Sequence, residues 1–214
     1  MDAETQDKGW RGSAEVWLEA AYEALIEGGI EAVKVMGLAN RLGMSRTSFY
    51  WHFTDREALL AALIDRWRNR NTDQLIAHCE TPAATVTAAI LNVFDCWIDP
   101  NLFDSRLEFA IRNWALTDPE LARVLAQTDG VRLAALRGMF QRYGFAENEA
   151  DIRAHTVYLT QIGYIAMKTE EALEPRLGRI PSYALTFTGR APLPAEVDAF
   201  RARHLVRSPK APPQ

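Results

Sequence analysis

The chain has 214 residues, of which 48% are hydrophobic, and a formal net charge of −4. This composition predicts a folded globular protein with a substantial core, either one large domain or a small domain on a larger one. The acidic balance excludes a protein that coats nucleic acid over its whole surface, because non-specific binding depends on lysine and arginine. The start MDAETQDKGW lacks a signal-peptide profile and charges interrupt the long apolar runs, so we expect a cytoplasmic protein with no membrane partner.

The first predicted helix covers Ser13–Glu27 and ends at a pair of glycines. Its apolar residues recur at helical spacing. Another face carries carboxylates four residues apart, which repel phosphate and are expected to lie in solvent, away from any nucleic acid. These residues are Glu15, Glu19, Glu23 and Glu27.

Three further helices are predicted before about residue 77. A short helix over 35–42 is followed by a turn at Gly43 and Met44, and a second short helix begins at Ser45, whose hydroxyl can cap it. The sequence Thr54-Asp55-Arg56-Glu57 reads as a capping box that opens a longer helix. The predicted core positions of that helix are Leu59, Leu60, Leu63, Ile64 and Trp67.

The remainder of the chain is also predicted to be helical. Thr81 and Asp118 each precede a proline as N-cap residues, and Gly144 can stop a helix in the left-handed conformation. Predicted helices lie near 82–98, 103–116, 119–143, 147–172 and 195–205. The proline-rich segment 173–194 is predicted to be a loop, and 207–214 a mobile tail.

The pattern contains no strand-like alternation and no internal repeat, so the predicted fold class is all-α. We expect a three-helix domain with a helix-turn-helix over 1–54 and a larger helical domain over 55–206.

Two short helices joined at Gly43 can place the second helix in the DNA major groove. An apolar seam would hold them together, formed by Leu38, Ala39, Leu42, Phe49 and Phe53. The side chains left facing outward can donate to bases or phosphates, namely those of Arg46, Thr47, Ser48 and Tyr50. Residues 34–56 also carry four basic side chains against one acidic one, a local net charge of +3.

Residues 28–63, GGIEAVKVMGLANRLGMSRTSFYWHFTDREALLAAL, resemble the DNA-binding domain of TetR-type (tetracycline-repressor-like) transcriptional regulators. The resemblance implies DNA-facing positions at Arg46, Thr47, Ser48, Tyr50 and His52. It also implies that Arg56 stands where the family usually has a phosphate-binding lysine.

The chain departs from the family pattern where the first short helix of the motif begins. Lys34 replaces a common capping threonine, and Met36 and Gly37 replace a usual charged pair. A lost cap and a helical glycine both weaken the helix, so we expect base contacts chiefly from the second helix.

The larger domain contains more rings than a small core needs, which favours a pocket for a flat or apolar ligand. The TetR-type resemblance implies an effector pocket in this region. The candidate lining residues are Phe94, Trp97, Phe109, Trp114, Phe140, Tyr143, His155 and Gln161. For each ring, ordinary core packing is the alternative.

Helix 147–172 is apolar on nearly all sides, which predicts a second copy of the chain against one of them. A central helix in a monomer is the alternative. The candidate interface residues are Val157, Tyr158, Tyr164 and Ile165.

These patterns predict a homodimer that binds a near-palindromic double-stranded DNA operator, with its recognition helices about 34–36 Å apart. The TetR-type resemblance implies a repressor, which a small, largely apolar or aromatic effector would release from its operator. One alternative is a thiol-sensing regulator acting through Cys79 or Cys96.

A helical enzyme is the remaining alternative. The sequence has no paired-histidine metal motif, no glycine-rich phosphate loop and no recognisable nucleophile turn. We therefore predict that the chain is not an enzyme, and we predict no catalytic, metal or cofactor site.

Overall fold

The computed structural model describes residues 13–205, and every regular element in that range is helical. This confirms the all-α prediction. The predicted tail over 207–214 lies outside the described residues.

The helices of the N-terminal part are α1 (Ala14–Gly28), a 3₁₀ turn (Ile30–Ala32), α2 (Val35–Leu42), α3 (Arg46–Phe49) and α4 (Arg56–Trp67). A π-helical segment over Arg68–Asp73 follows directly. The later helices are α5 (Gln74–Glu80), α6 (Val86–Ile98), α7 (Ser105–Ala115), α8 (Pro119–Arg142), α9 (Glu147–Ala166), α10 (Leu173–Thr188) and α11 (Pro194–Leu205).

The described chain divides into two compact units whose limits differ from the predicted boundary at residue 54. The first unit comprises residues 13–69 and Arg106–Leu125, and the second comprises Arg70–Ser105 and 126–205. The first unit is larger than a three-helix domain because α4 and α7 share its core. None of the helices in the described range is both long and apolar enough to cross a membrane.

The core of the first unit joins the helix-turn-helix to α1, α4 and α7. Fully buried side chains in it include Trp17, Phe49, Leu63 and Ile111. Burying a large apolar side chain contributes about 1.5–3 kcal/mol, so this shared core fixes the position of the short helices, which would be marginal alone.

A fully buried arginine lies at the centre of the second unit. Arg132 donates from Nε to the Thr72 hydroxyl at 3.0 Å and from Nη1 to the Tyr158 hydroxyl at 3.0 Å. Tyr158 in turn donates to Asp129 at 2.6 Å, so the buried charge is balanced through hydrogen bonds.

Two predicted helix starts are corrected by the structure. Asp55, and not Thr54, caps α4, because its Oδ1 accepts from the Ala58 N–H at 2.7 Å. Thr85, and not Thr81, caps α6, since its hydroxyl accepts from the Ala88 N–H at 3.0 Å.

The prediction of an N-cap at Asp118 is confirmed. Its Oδ1 accepts from the N–H groups of Glu120 and Leu121, each at 3.0 Å. Gly144 follows α8 with a φ of 85°, as predicted for a left-handed stop.

Helix α9 ends six residues before its predicted limit at 172. Lys168 adopts a positive φ of 49°, and its N–H donates to Ile165 at 3.0 Å. The Thr169 N–H reaches back to the Tyr164 carbonyl at 3.1 Å, which completes a Schellman turn at a residue that is not glycine.

The predicted loop over 173–194 is wrong, since most of it forms helix α10. Pro175 lies in the first turn, where its missing N–H costs nothing, but Pro181 lies inside the helix. An interior proline costs about 3 kcal/mol, which the burial of three large apolar side chains at about 1.5–3 kcal/mol each offsets. These side chains are Leu177, Ile180 and Phe187.

Candidate nucleic-acid interface and ligand cavity

The turn between α2 and α3 depends on Gly43. Its φ of 63° and ψ of 29° are left-handed, a conformation that side chains disfavour. The Gly43 N–H donates to Asn40 at 3.2 Å and the Met44 N–H donates to Ala39 at 2.9 Å. The last carbonyls of α2 thereby accept hydrogen bonds, and the left-handed turn sets the angle at which the chain enters α3.

Helix α3 begins at the predicted cap. The Ser45 hydroxyl accepts from the Ser48 N–H at 3.2 Å, and the Ser48 hydroxyl donates to the Ser45 carbonyl at 2.7 Å. Phe49 is fully buried, with its ring 5.3 Å from that of Trp17 and stacked 5.6 Å from that of Phe53. This packing confirms the inward side of the motif and leaves its other side open.

Four of the six predicted DNA-facing residues are exposed, namely Arg46, Thr47, Tyr50 and His52. Arg46 donates from Nη2 to the Tyr50 hydroxyl at 3.1 Å, and its guanidinium lies 5.7 Å from the centre of that ring. Ser48 is half-buried, and its hydroxyl donates to the carbonyl of Ser45, the residue that caps α3. We call the exposed residues Arg46, Thr47, Tyr50, Trp51 and His52 the recognition surface.

Trp51 belongs to the recognition surface but was not among the predicted DNA-facing residues. Its side chain is 78% exposed. The only signal in the sequence was its place in the unbroken aromatic run after Ser48, which could equally have been core. A tryptophan this exposed beside an exposed tyrosine is typical of a surface that contacts a partner.

Arg56 does not lie free on the surface. Its Nε donates to the Val33 carbonyl at 2.6 Å and its Nη2 donates to the Ile30 carbonyl at 3.0 Å. Its side chain is 32% exposed. The guanidinium therefore joins the start of α4 to the 3₁₀ turn before α2, a bracing contact that the family resemblance did not indicate.

The local positive charge is smaller than the sequence count suggested. Arg41 forms a bidentate pair with Glu27, with N–O distances of 2.8 and 2.7 Å, and the hydrogen bond from Arg41 lowers the pKa of Glu27. Glu19 similarly accepts from Arg66 at 2.6 Å, so the glutamate face of α1 is not simply solvated. The exposed basic residues left for DNA near the recognition surface are Lys34 and Arg46.

The second unit contains a cavity of about 40 Å³ between α6, α9 and α10. Five rings line it, from Phe94, Trp97, Tyr164, Tyr183 and Phe187. Neighbouring rings lie 5.5–6.4 Å apart between centres, with Tyr183 stacked on Phe187. Such a wall suits a flat apolar group.

Polar groups interrupt the aromatic wall of the cavity. Gln161 contributes a buried amide, and the hydroxyls of Tyr164 and Tyr183 are 2.7 Å apart. The hydrogen bond between the two hydroxyls raises the pKa of Tyr183. Two arginines, Arg176 and Arg179, complete the lining.

Comparison with known proteins gives independent support for the N-terminal motif. Residues 18–63 match the model of the bacterial regulatory proteins of the tetR family. The class A tetracycline repressor protein from transposon 1721 of Escherichia coli is 40% identical over 48 residues, which span 22% of this chain and 22% of that repressor. Residues 18–63 are a tetR-type domain.

Two solved structures share the fold of this chain. GusR of Salmonella enterica has a TM-score of 0.60 at 20% identity, over 82% of this chain and 91% of that chain. A candidate TetR-family transcriptional regulator from Mesorhizobium loti has a TM-score of 0.56 at 18% identity, over 89% of this chain and 95% of that chain. The likeness therefore extends beyond the N-terminal domain, although at these identities it concerns the fold alone.

Three of the eight predicted pocket residues line the cavity of the second unit, namely Phe94, Trp97 and Gln161. Phe109 and Trp114 lie in the first unit. Phe140 is fully buried against Phe145.

The remaining two pocket candidates each lie within hydrogen-bond distance of a backbone carbonyl. Tyr143 donates to the Ala83 carbonyl at 2.8 Å. The Nδ1 of His155 lies 2.9 Å from the Asp151 carbonyl oxygen of its own helix. Neither residue lines this cavity.

The predicted interface residues lie on the inner side of α9. Val157, Tyr158 and Ile165 are buried inside the unit, and Tyr164 lines the cavity. These side chains pack within their own unit, which does not favour the predicted interface. On the opposite side of α9, Ile152 and Leu159, seven residues apart, are each 59% exposed.

Both cysteines are buried free thiols. Burial raises the pKa of Cys79 to about 12 and that of Cys96 to about 12. At neutral pH each thiol is therefore protonated, and the nucleophilic thiolate is rare.

Proposed function

We propose that this chain is a sequence-specific DNA-binding transcriptional regulator that acts as a homodimeric repressor and releases a near-palindromic operator when a small effector binds. The proposal rests chiefly on the recognition surface, which is exposed on the helix-turn-helix. The apolar seam of this motif is packed in the core of the first unit, and its turn is formed at Gly43. A second, separately packed unit with an aromatic cavity supports the effector part of the proposal.

The residue chemistry of the recognition surface supports DNA as the partner. Arg46 can donate twice to guanine, and Thr47 can donate to a base or a phosphate. Tyr50 offers a hydroxyl to phosphate and a ring to a thymine methyl. The Arg46–Tyr50 hydrogen bond pre-orders both groups, which lowers the entropy lost on binding.

A second copy of the chain is the partner that this mode of binding requires. α3 has only four helical residues, so one copy reads few bases, and two copies related by a two-fold axis read two half-sites. The exposed Ile152 and Leu159 form an apolar stripe on α9 that a second copy can cover.

The proposed regulation is a two-state equilibrium of the dimer. An effector that binds one arrangement better changes the separation of the recognition surfaces and weakens DNA binding. Because coupling is reciprocal, operator DNA weakens effector binding by the same factor. Equal effector affinity with and without operator would contradict this mechanism.

The direct test is selection of bound duplexes from a randomised pool, followed by fluorescence anisotropy with the enriched sequence across a salt series. We expect enrichment of a near-palindrome and a log–log fall in affinity with salt. Failure to enrich any sequence would overturn the proposal.

Arg46→Ala gives the residue-level version of this test. We expect it to weaken specific binding by about 1–3 kcal/mol and to relax selection at one position of each half-site. The matched control is Arg123→Ala, which removes an arginine whose side chain is 74% exposed from α8 and should leave affinity unchanged. If the two variants had equal effects on affinity, Arg46 would not be a specific contact in the DNA interface.

A thiol-sensing mechanism is less well supported, because Cys79 and Cys96 are buried and protonated. An enzymatic role has no supporting observation among the described residues, where no cluster of potential metal ligands is found. We therefore propose binding, and not turnover, as the activity of this chain.

A further inference from the structure

The charges around the cavity do not balance. Among the residues that line it there are two arginines and no carboxylate. Arg179 is paired with Glu171, whose hydrogen bond raises the pKa of Arg179. Within residues 13–205, no carboxylate oxygen lies within ion-pair distance of Arg176.

Arg176 is held in place but keeps donors available. Its Nη2 donates to the Trp97 carbonyl at 3.1 Å, in the last turn of α6, where the helix dipole favours a cation. A guanidinium has five N–H donors in a rigid fork, and this one bond uses one of them. Burial lowers the pKa of Arg176, so the ion is poorly solvated where it stands.

An additional unsatisfied donor lies beside Arg176. The indole Nε1 of Trp97 is buried and has no hydrogen-bond acceptor among the described residues. Buried N–H groups in native proteins are nearly always paired, so an acceptor is missing from this wall.

We propose that the cavity binds a small aromatic carboxylate, with its ring among the five rings of the wall and its carboxylate on Arg176. This names the chemical class of the effector, and it rests on the proposed function. An anionic oxygen pair matches the guanidinium fork, gives the half-buried cation a counter-charge and can offer the Trp97 indole an acceptor.

The size of the cavity makes this ligand a conformational effector. A volume of about 40 Å³ holds only a few water molecules, because one water needs about 10–15 Å³ by the same measure. An aromatic acid is larger than this space, so lining side chains have to move apart to admit it. Tyr183 and Phe187 belong to α10, so we expect binding to favour a different arrangement of α10 against α6 and α9.

The test compares acids with amides of the same shape by isothermal titration calorimetry on the full chain at pH 7. The probes are benzoate, phenylacetate and 2-naphthoate, each against its primary amide. We expect at least one acid to bind tenfold or more tightly than its amide, since a charge-assisted bond to arginine is worth about 10- to 100-fold. If no acid binds more tightly than its amide, the inference is wrong.

Two variants locate the carboxylate. Arg176→Gln should abolish the preference for acid over amide, and Arg176→Lys should restore part of it. The control Arg137→Gln removes an equal charge from an arginine that is 43% exposed and does not line the cavity. An unchanged preference for acid over amide in a folded Arg176→Gln protein would overturn the placement of the carboxylate on Arg176. If that variant does not fold, the comparison of acids with amides on the wild-type chain still tests the proposal.

The same preparation is titrated with a selected DNA duplex, so that the two failures are distinguishable. DNA binding without any acid preference would overturn the ligand class and leave the regulator standing. Acid preference without sequence-selective DNA binding would support the ligand class and overturn the proposed function.

Discussion

The arginines of the N-terminal unit divide into two groups by what they contact. Arg41 and Arg66 pair with glutamates of α1, and Arg56 donates to backbone carbonyls. Arg46 is bonded only to the hydroxyl of a neighbour on the same exposed surface. A sequence shows that each side chain is basic but not which acceptor it meets, because those acceptors lie 14 to 47 residues away.

Arg56 gives a test that separates bracing from phosphate contact. We expect Arg56→Gln to lower the free energy of unfolding by about 1–3 kcal/mol, because two charge-assisted hydrogen bonds are lost. The measurement is urea unfolding followed by circular dichroism, together with the salt dependence of DNA binding.

A bracing role predicts an unchanged salt slope in the Arg56→Gln protein under conditions where it is fully folded. A direct phosphate contact predicts a slope reduced by about one with little loss of stability. The second result would restore the role implied by the family resemblance.

At the scale of the helix, most starts and stops are local events that a sequence can specify. Ser45, Asp118 and Gly144 act as predicted, because each satisfies backbone groups within a few residues of itself. Errors arose where two capping residues stood close together, as at Thr54 and Asp55. Only the backbone geometry decides which of two neighbours is the cap.

This correction predicts different effects for adjacent substitutions. Asp55→Ala should destabilise the first unit by about 1 kcal/mol, since the Ala58 N–H loses its acceptor. Thr54→Ala is the matched control and should change stability by less than half of that. Thermal unfolding of both variants measures the difference, and a larger loss for Thr54→Ala would favour the original capping box.

Helix α10 shows the limit of local rules. Four prolines over 173–194 predicted a loop, yet burial of one apolar face outweighs the interior proline. That face has a partner only because α6 and α9 lie against it. The aromatic cavity depends on the same packing, so a residue such as Tyr183 could not have been chosen from sequence.

At the scale of the whole molecule, the chain passes between the two units three times, and the first passage falls within the π-helical segment Arg68–Asp73. Asn71 in this segment donates to the Asp104 carbonyl at 3.1 Å and accepts from the Asp104 N–H at 2.8 Å. Thr72 joins the Arg132 network. The irregular turn is therefore anchored by buried hydrogen bonds within the second unit.

Assembly of two copies gives the last prediction. Leu159→Glu should convert the proposed dimer to a monomer and weaken operator binding by tenfold or more, because a charge would be buried in the proposed interface. Size-exclusion chromatography with light scattering measures the mass. Leu116→Glu, at a leucine that is 83% exposed in the first unit, is the control. A dimeric Leu159→Glu protein would show that the copies meet elsewhere.

The sequence by itself determined the all-helical class, the glycine turn, the Ser45 cap and the inward side of the helix-turn-helix. These features follow from backbone hydrogen bonding and from apolar spacing within one or two turns. Tertiary structure alone decided which rings line a cavity, which side of α9 is exposed, and that Arg56 braces the backbone. Those outcomes depend on contacts between residues far apart in the chain, and one apolar or basic residue type fits several such contacts equally well.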